Sequence, residues 1–163
     1  MKIGVLSDTH IPFSAERLPQ KVIKLLGECD VIAHAGDICV KEVIDDLAKL
    51  SDVKVVHGNM DSPDLKKRFP SKLVFEAQGK KVGLIHGSGS IPRMVEFVRD
   101  SFKSERPDII IFGHSHTPYN EVISGILYFN PGSPTDMVYS DTRSFGIIEI
   151  NDRGRIEGKI INI

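Results

Sequence analysis

Five short apolar runs in this chain end in the same kind of punctuation. "KIGVLSDTH" closes on Asp8 and His10, and "DVIAHAGD" on Gly36 and Asp37. "VKVVHGNMD" closes on Gly58, Asn59 and Asp61, "KKVGLIHG" on His86 and Gly87, and "DIIIFGHSH" on Gly113, His114 and His116. Apolar runs of this length bounded by turn residues read as buried strands. In open α/β sheets the ligand crevice lies at the carboxyl ends of the strands. A fold that aligns these strands therefore collects Asp8, Asp37, Asn59 and four His as donor candidates along one edge, with Asp61 beside them. The glycines let the backbone turn sharply and approach closely there.

The segments between the runs set the rhythm. Behind Pro19, "PQKVIKLLGEC" carries apolar residues at Val22, Ile23, Leu25 and Leu26, and "VKEVIDDLAKL" repeats the amphipathic spacing. The first sixty residues thus read β-α-β-α-β, the pattern of parallel strands with crossover helices. "KLVFEAQGKKVGLIHG" reads as a hairpin joined at a Gly-Lys turn. "PRMVEFVRDSFKSE" is the longest helix candidate, with Met94, Val95, Val98 and Phe102 on one face. After the strand at "PDIIIFGH" come short strands near 120–124, 126–130, 144–150 and 155–162, with "NDRG" as a turn. The last of these, "RIEGKIINI", could pair inside a sheet or with a neighbouring chain. The 163 residues fit a single α/β domain spanning 1–163, with two mixed sheets inside and helices outside.

Net charge is −1, which removes any global attraction to nucleic acid or an anionic membrane. No apolar run approaches the roughly 18 residues of a membrane span, and "MKIGVLSDTH" lacks the form of a signal peptide, so a cytoplasmic protein is expected. The two cysteines, Cys29 and Cys39, have no CxxC spacing and read as reduced structural thiols.

Oxygen and imidazole donors without thiolate suit borderline divalent ions: Mn²⁺, Fe²⁺, Zn²⁺, Co²⁺ or Ni²⁺. One ion does not need seven ligands. Two ions sharing a bridging carboxylate would use them and leave places for hydroxide and substrate. Each motif alone is of modest specificity, since "GD" and "GN" are ordinary turns and a lone "HG" is ordinary packing. The order D-x-H, GD, GN-x-D, HG, G-H-x-H, each at a strand end, is far more specific.

This order resembles the calcineurin-like metallophosphoesterase superfamily. The short chain, "GNMD" and "NPGSP" are most similar to its small YfcE-type bacterial and archaeal phosphodiesterases. The resemblance extends from Lys2 to the last strand. It implies a four-layer α-β-β-α sandwich, the metallo-dependent phosphatase fold, with a dinuclear centre on the loops. It assigns Asp8, His10 and His116 to one ion, Asn59, His86 and His114 to the other, and Asp37 to both. Asp37, Asn59, His86 and His114 are then the residues expected to carry catalysis. Mn²⁺ is the expected resident ion and a small phosphate ester, diester before monoester, the expected substrate. A hydroxide held between the ions would attack phosphorus in line. A homo-oligomer is compatible with the resemblance, though no interface signature stands out. A non-catalytic metal-binding scaffold on the same fold is the alternative, and retention of every motif position argues against it.

One position departs from the wider pattern. Where many members carry a histidine after the "GN" asparagine, this chain has Met60, which cannot transfer a proton. Loss of general-acid help is typically worth 10²–10⁴-fold, so slow turnover is expected, least so for activated aryl esters. Asp61 is expected to orient a histidine ligand. His34 reads as a satisfied core histidine, and His57 is open between strand packing and a substrate contact. Asn130, Gly132 and Ser133 of "NPGSP" read as support for the metal loops. Arg143 and Lys66-Lys67-Arg68 read as solvated surface, and Thr9 and Ser115 as polar neighbours of the centre.

Overall fold

In the computed structural model, which describes residues 1–163 apart from the side chain of Ile91, the chain begins with the expected alternation. β1 (Lys2–Leu6), β2 (Val31–His34) and β3 (Asp52–Val55) pair in parallel, with Val5 opposite Ala33 and Ala33 opposite Lys54. The crossovers are α1 (Gln20–Leu26) and α2 (Lys41–Leu47). Residues four apart share a helix face, so Val22 with Leu26 and Val43 with Leu47 are buried together. They pack with Leu6, Ile32 and Val55 from the outer face of the strands. Gly4 admits α1 closely, since a Cβ there would meet Leu26 Cδ2 and lie 3.2 Å from Cys29 Sγ.

The remainder runs α3 (Pro63–Arg68), β4 (Lys72–Ala77), β5 (Lys80–Ile85), α4 (Ile91–Ser101), β6 (Ile109–Ile111), β7 (Tyr119–Ile123), β8 (Ile126–Asn130), β9 (Ser144–Ile150) and β10 (Ile156–Asn162). Two five-stranded sheets result, ordered β10-β9-β1-β2-β3 and β4-β5-β6-β8-β7. Both are mixed: β9 runs antiparallel to β1, and β5, β6 and β8 are parallel between two antiparallel edges. Period-2 alternation sends Ile3, Val5, Val31 and Ala33 of the first sheet inward against Val82, Leu84, Ile109, Ile111 and Phe129 of the second. On the far side of the second sheet, Met94, Val98 and Phe102 of α4 pack on Ile110, Phe112 and Tyr128. The layers are therefore helix, sheet, sheet and helix, as the resemblance implies. Each fully buried aliphatic or aromatic side chain contributes about 1.5–3 kcal/mol to that association.

Three local features differ from the sequence reading or extend it. The β4–β5 turn is Gln78-Gly79 rather than Gly-Lys; both residues have positive φ, 50° and 71°, and Lys80 already belongs to β5. That is the turn whose twist suits a two-residue hairpin. α3 was not anticipated, although Ser62 followed by Pro63 marks a helix start; Ser62 Oγ accepts the Leu65 N–H at 3.3 Å. β10 pairs with β9 over its whole length, from Ile156 opposite Ile150 to Asn162 opposite Ser144. Among the described residues, no helix is long and apolar enough to cross a membrane.

Candidate metal centre

The carboxyl ends of β1, β2 and β3 in one sheet and of β5 and β6 in the other open onto the same edge. All seven predicted donors meet there. His10 Nε2 lies 3.3 Å from His116 Nε2, and these nitrogens lie 3.8 and 3.4 Å from Asp8 Oδ1. Asp37 Oδ2 lies 3.3 Å from His86 Nε2 and 3.7 Å from His10 Nε2. Asn59 Oδ1 lies 3.0 Å from both His86 Nε2 and His114 Nδ1.

The backbone is held in an unusual state to achieve this. Asp8, His10, Asp37, His114 and His116 all have positive φ, between 44° and 69°. A non-glycine residue in the left-handed region costs of order 1 kcal/mol and persists only where its surroundings impose it. Five such residues among seven predicted donors mark a site whose geometry is built at the expense of stability.

Each carboxylate is tied by one oxygen and offers the other. Asp8 Oδ2 accepts from Ser7 Oγ at 2.6 Å and from the His114 N–H at 2.9 Å. Asp8 Oδ1 is buried and, among the described residues, the only buried side-chain polar atom without a hydrogen-bond partner. Asp37 Oδ1 accepts the Met60 N–H at 2.7 Å, leaving Oδ2 toward the histidines. The imidazoles are oriented in the same way. His86 Nδ1 donates to the Ala35 carbonyl at 2.8 Å, and His116 Nδ1 pairs with Asp136 Oδ2, so each presents Nε2 to the centre. Imidazole and carboxylate lone pairs facing one another across 3–4 Å, around an orphaned buried oxygen, suit cations between them.

The electrostatics agree. Burial alone would raise the Asp8 carboxyl, but His10, His116 and the charge of His86 hold it far below the ordinary carboxylate range. Asp37 is lowered against its own burial, chiefly by His86. Burial opposes charge on His10 as well, yet Asp8, Cys39 and Asp37 push it up to about 10, and His86 and His116 also rise. His114 goes the other way, lowered by burial and by His86. Two buried carboxylates demand compensating positive charge, which a cation among the donors or a protonated imidazole can supply.

The supporting residues sort differently from the sequence reading. Asp61 orients no histidine. Its carboxylate accepts the backbone N–H groups of Asp37, Ile38, Cys39 and Gly58 at 2.7–3.0 Å, so it fastens the Asp37 loop to the Asn59 loop. Orientation of His116 falls to Asp136, which the sequence reading missed; the only signal was an acid four residues past Gly132. His34 is a satisfied core histidine: Nδ1 accepts the Gly36 N–H at 3.2 Å and Nε2 faces Thr9 Oγ1 at 3.1 Å. Asn130 Nδ2 donates to the Gly113 carbonyl and to Ser115 Oγ, and Ser133 Oγ donates to the Asp8 carbonyl at 2.7 Å, the support expected of "NPGSP". Cys39 does reach the centre, with Sγ 3.7 Å from His10 Nδ1, and both cysteines are free. Met60 gives only its backbone, and the residue is 58% exposed. Lys66 is not simply solvated, since Nζ donates to the Asn59 carbonyl at 2.7 Å. Lys66 and His57 line a cavity of about 480 Å³ together with Asn59, His86 and His114.

The model of the calcineurin-like phosphoesterase superfamily domain matches residues 1–153. The chain belongs to that superfamily. A probable metallophosphoesterase of Methanocaldococcus jannaschii is 38% identical over 164 residues, covering 100% of this chain and 82% of its own. Among solved structures, Vps29 of Entamoeba histolytica complexed with Zn²⁺ is 27% identical, with a TM-score of 0.79 and 99% of each chain covered. A structure described as a novel archaeal phosphodiesterase shares the fold at a TM-score of 0.75 and 22% identity, covering 99% of this chain and 100% of the other. Membership implies divalent metal ions, and the donors gathered here include groups that could hold them: Asp8, His10 and His116, and Asp8, Asp37 and His86.

Proposed function

We propose that this chain is a dinuclear metal-dependent phosphodiesterase. Asp8, His10 and His116 would hold one divalent ion, Asn59, His86 and His114 the other, and Asp37 would touch both. The observation that carries this reading is the pair of half-tied buried carboxylates. The free Asp8 oxygen lies nearer His116, at 3.4 Å against 4.0 Å for His86, whereas the free Asp37 oxygen is 3.3 Å from His86 and still within 3.7 Å of His10. That asymmetry favours Asp37 as the shared donor.

When bound, such ions supply an activated water and positive charge for the phosphoryl oxygens. The chain's own residues do the rest. Ser7, the His114 N–H and the Met60 N–H hold the two carboxylates in place. Ala35 and Asp136 fix which nitrogen His86 and His116 present. Asp61 and Ser133 lock the loops, so little reorganisation is needed when substrate arrives. Met60 gives the leaving group no proton, so esters with good leaving groups are the favoured substrates. Mn²⁺ is the ion we assign for testing.

The decisive experiment is hydrolysis of bis-p-nitrophenyl phosphate after metal removal and Mn²⁺ reconstitution, wild type against Asp37→Asn. Metal-dependent turnover that drops at least 10²-fold in the variant is the expected result. Absence of turnover in wild type with Mn²⁺, Zn²⁺, Co²⁺ and Ni²⁺ alike overturns it in favour of the non-catalytic metal-binding scaffold.

A further inference from the structure

The cavity lined by Asn59, His86 and His114 is also lined by the apolar side chains of Ile85 and Phe97 and by Lys66. Phe97 is the informative residue. α4 already buries Met94, Val98 and Phe102 in its core stripe. Phe97 stands beside that stripe, 41% exposed and outside the core cluster, and lines the cavity. A single exposed aromatic is ordinary on a protein surface. One that lines a cavity opening on a candidate catalytic centre is not, because a ligand ring laid against it removes both apolar faces from water. About 480 Å³ lies in the range of small-ligand pockets and accepts a ring with its substituents. The hydroxyls of Ser71 and Ser88 border the same space and can serve polar atoms at a ring edge.

We infer that this cavity seats an aryl or heteroaryl ester group of the substrate, and that Phe97 is the residue that selects it. The inference rests on the proposed metal centre, which would hold the phosphoryl group beside Asn59, His86 and His114. The substrate class is thereby narrowed to phosphate esters bearing a planar aromatic group, in preference to small alkyl phosphates.

Phosphonates test this without turnover, because their P–C bond is not hydrolysed. Methylphosphonate and phenylphosphonate are titrated calorimetrically into the Mn²⁺-loaded protein, wild type, Phe97→Ala and Phe97→Tyr. Phenylphosphonate is expected to bind wild type at least about tenfold more tightly than methylphosphonate, the gain of burying part of one ring. Phe97→Ala should reduce that advantage below about threefold with methylphosphonate affinity unchanged, and Phe97→Tyr should keep it. Equal affinity of the two phosphonates in wild type, or an undiminished advantage in Phe97→Ala, overturns the assignment of the cavity while leaving the metal centre standing. Failure of both phosphonates to bind wild type that has taken up Mn²⁺ overturns the metal-centre reading and this inference with it.

Discussion

Gly58→Ala strikes the candidate metal centre through a single added methyl group. The φ of Gly58 lies outside the left-handed region, so the backbone itself admits alanine; the obstacle is Asp37. A Cβ at position 58 would overlap Asp37 Oδ1 and sit 2.7 Å from both Asp37 Cγ and the Asp37 backbone N. An ordinary contact of 3.4 Å requires a shift of about 1.3 Å from Oδ1, 2.1 Å away, and of about 0.7 Å from Cγ and the backbone N. The backbone cannot supply it, because Asp61 Oδ2 grips the Asp37 N–H at 3.0 Å and the Gly58 N–H at 2.8 Å. The carboxylate must therefore turn, which breaks its 2.7 Å bond from the Met60 N–H and swings Oδ2 off the histidines, and the remaining 2.7 Å contact with the Asp37 backbone N strains the Asp61 clamp. Overpacking and the lost charge-assisted bond together should cost about 3 kcal/mol of stability. Mn²⁺ affinity should fall at least about tenfold. Thermal unfolding without metal and at graded Mn²⁺ reads both effects. A tenfold weaker Kd removes about 1.4 kcal/mol of metal stabilisation, or about 3–6 °C of the metal-induced rise in Tm. Gly27→Ala is the control, since its Cβ would meet nothing closer than 3.4 Å and its φ is −65°. A Gly58→Ala protein with both the wild-type Tm and the full Mn²⁺ response would refute the reasoning.

Asp136→Asn should weaken Mn²⁺ binding about 10–100-fold, because the His116 imidazole loses its anionic partner; calorimetric titration measures it, and wild-type affinity would exclude a positioning role for Asp136. Mn²⁺ binding near pH 7 should release protons, because His10 is pushed up to about 10 while no ion is present; titrations in buffers of different ionisation enthalpy detect the release, and identical heats in all of them would contradict it. Burial lowers His34 from 6.5 to about 4. Between those values the unfolded chain binds a proton that the native chain refuses, so this contribution is intact above about pH 6.5 and is lost as pH falls toward 4. His34→Gln should flatten that part of the stability profile in chemical denaturation, and an unchanged slope would count against it.

Much of the fold was legible in the sequence because its signals are local. Period-2 and period-3.6 apolar spacing placed β1, β2, the helices α1 and α2, and α4 near their observed bounds. The punctuation after β1, β2, β3, β5 and β6 named the seven candidate donors that the fold brings together, since parallel strands in either sheet must discharge their ends toward one edge. α3 escaped because six residues carry too little periodicity, although Ser62-Pro63 was a readable start. The supporting residues were harder. Asp61 was assigned to a histidine on motif position alone, whereas the folded loops bring four backbone N–H groups within its reach.

Residue type and spacing by themselves determined which atoms could bind a cation and on which strand ends they sit, because those are properties of short segments. Only the tertiary structure decided which oxygen of Asp8 is left orphaned, which nitrogen of His86 and His116 faces inward, that Asp136 stands behind His116, and that Phe97 leaves the core for a cavity wall. Each of these depends on hydrogen bonds and packing between segments 20 or more residues apart, where short-range propensity carries no information and the closure of two sheets does.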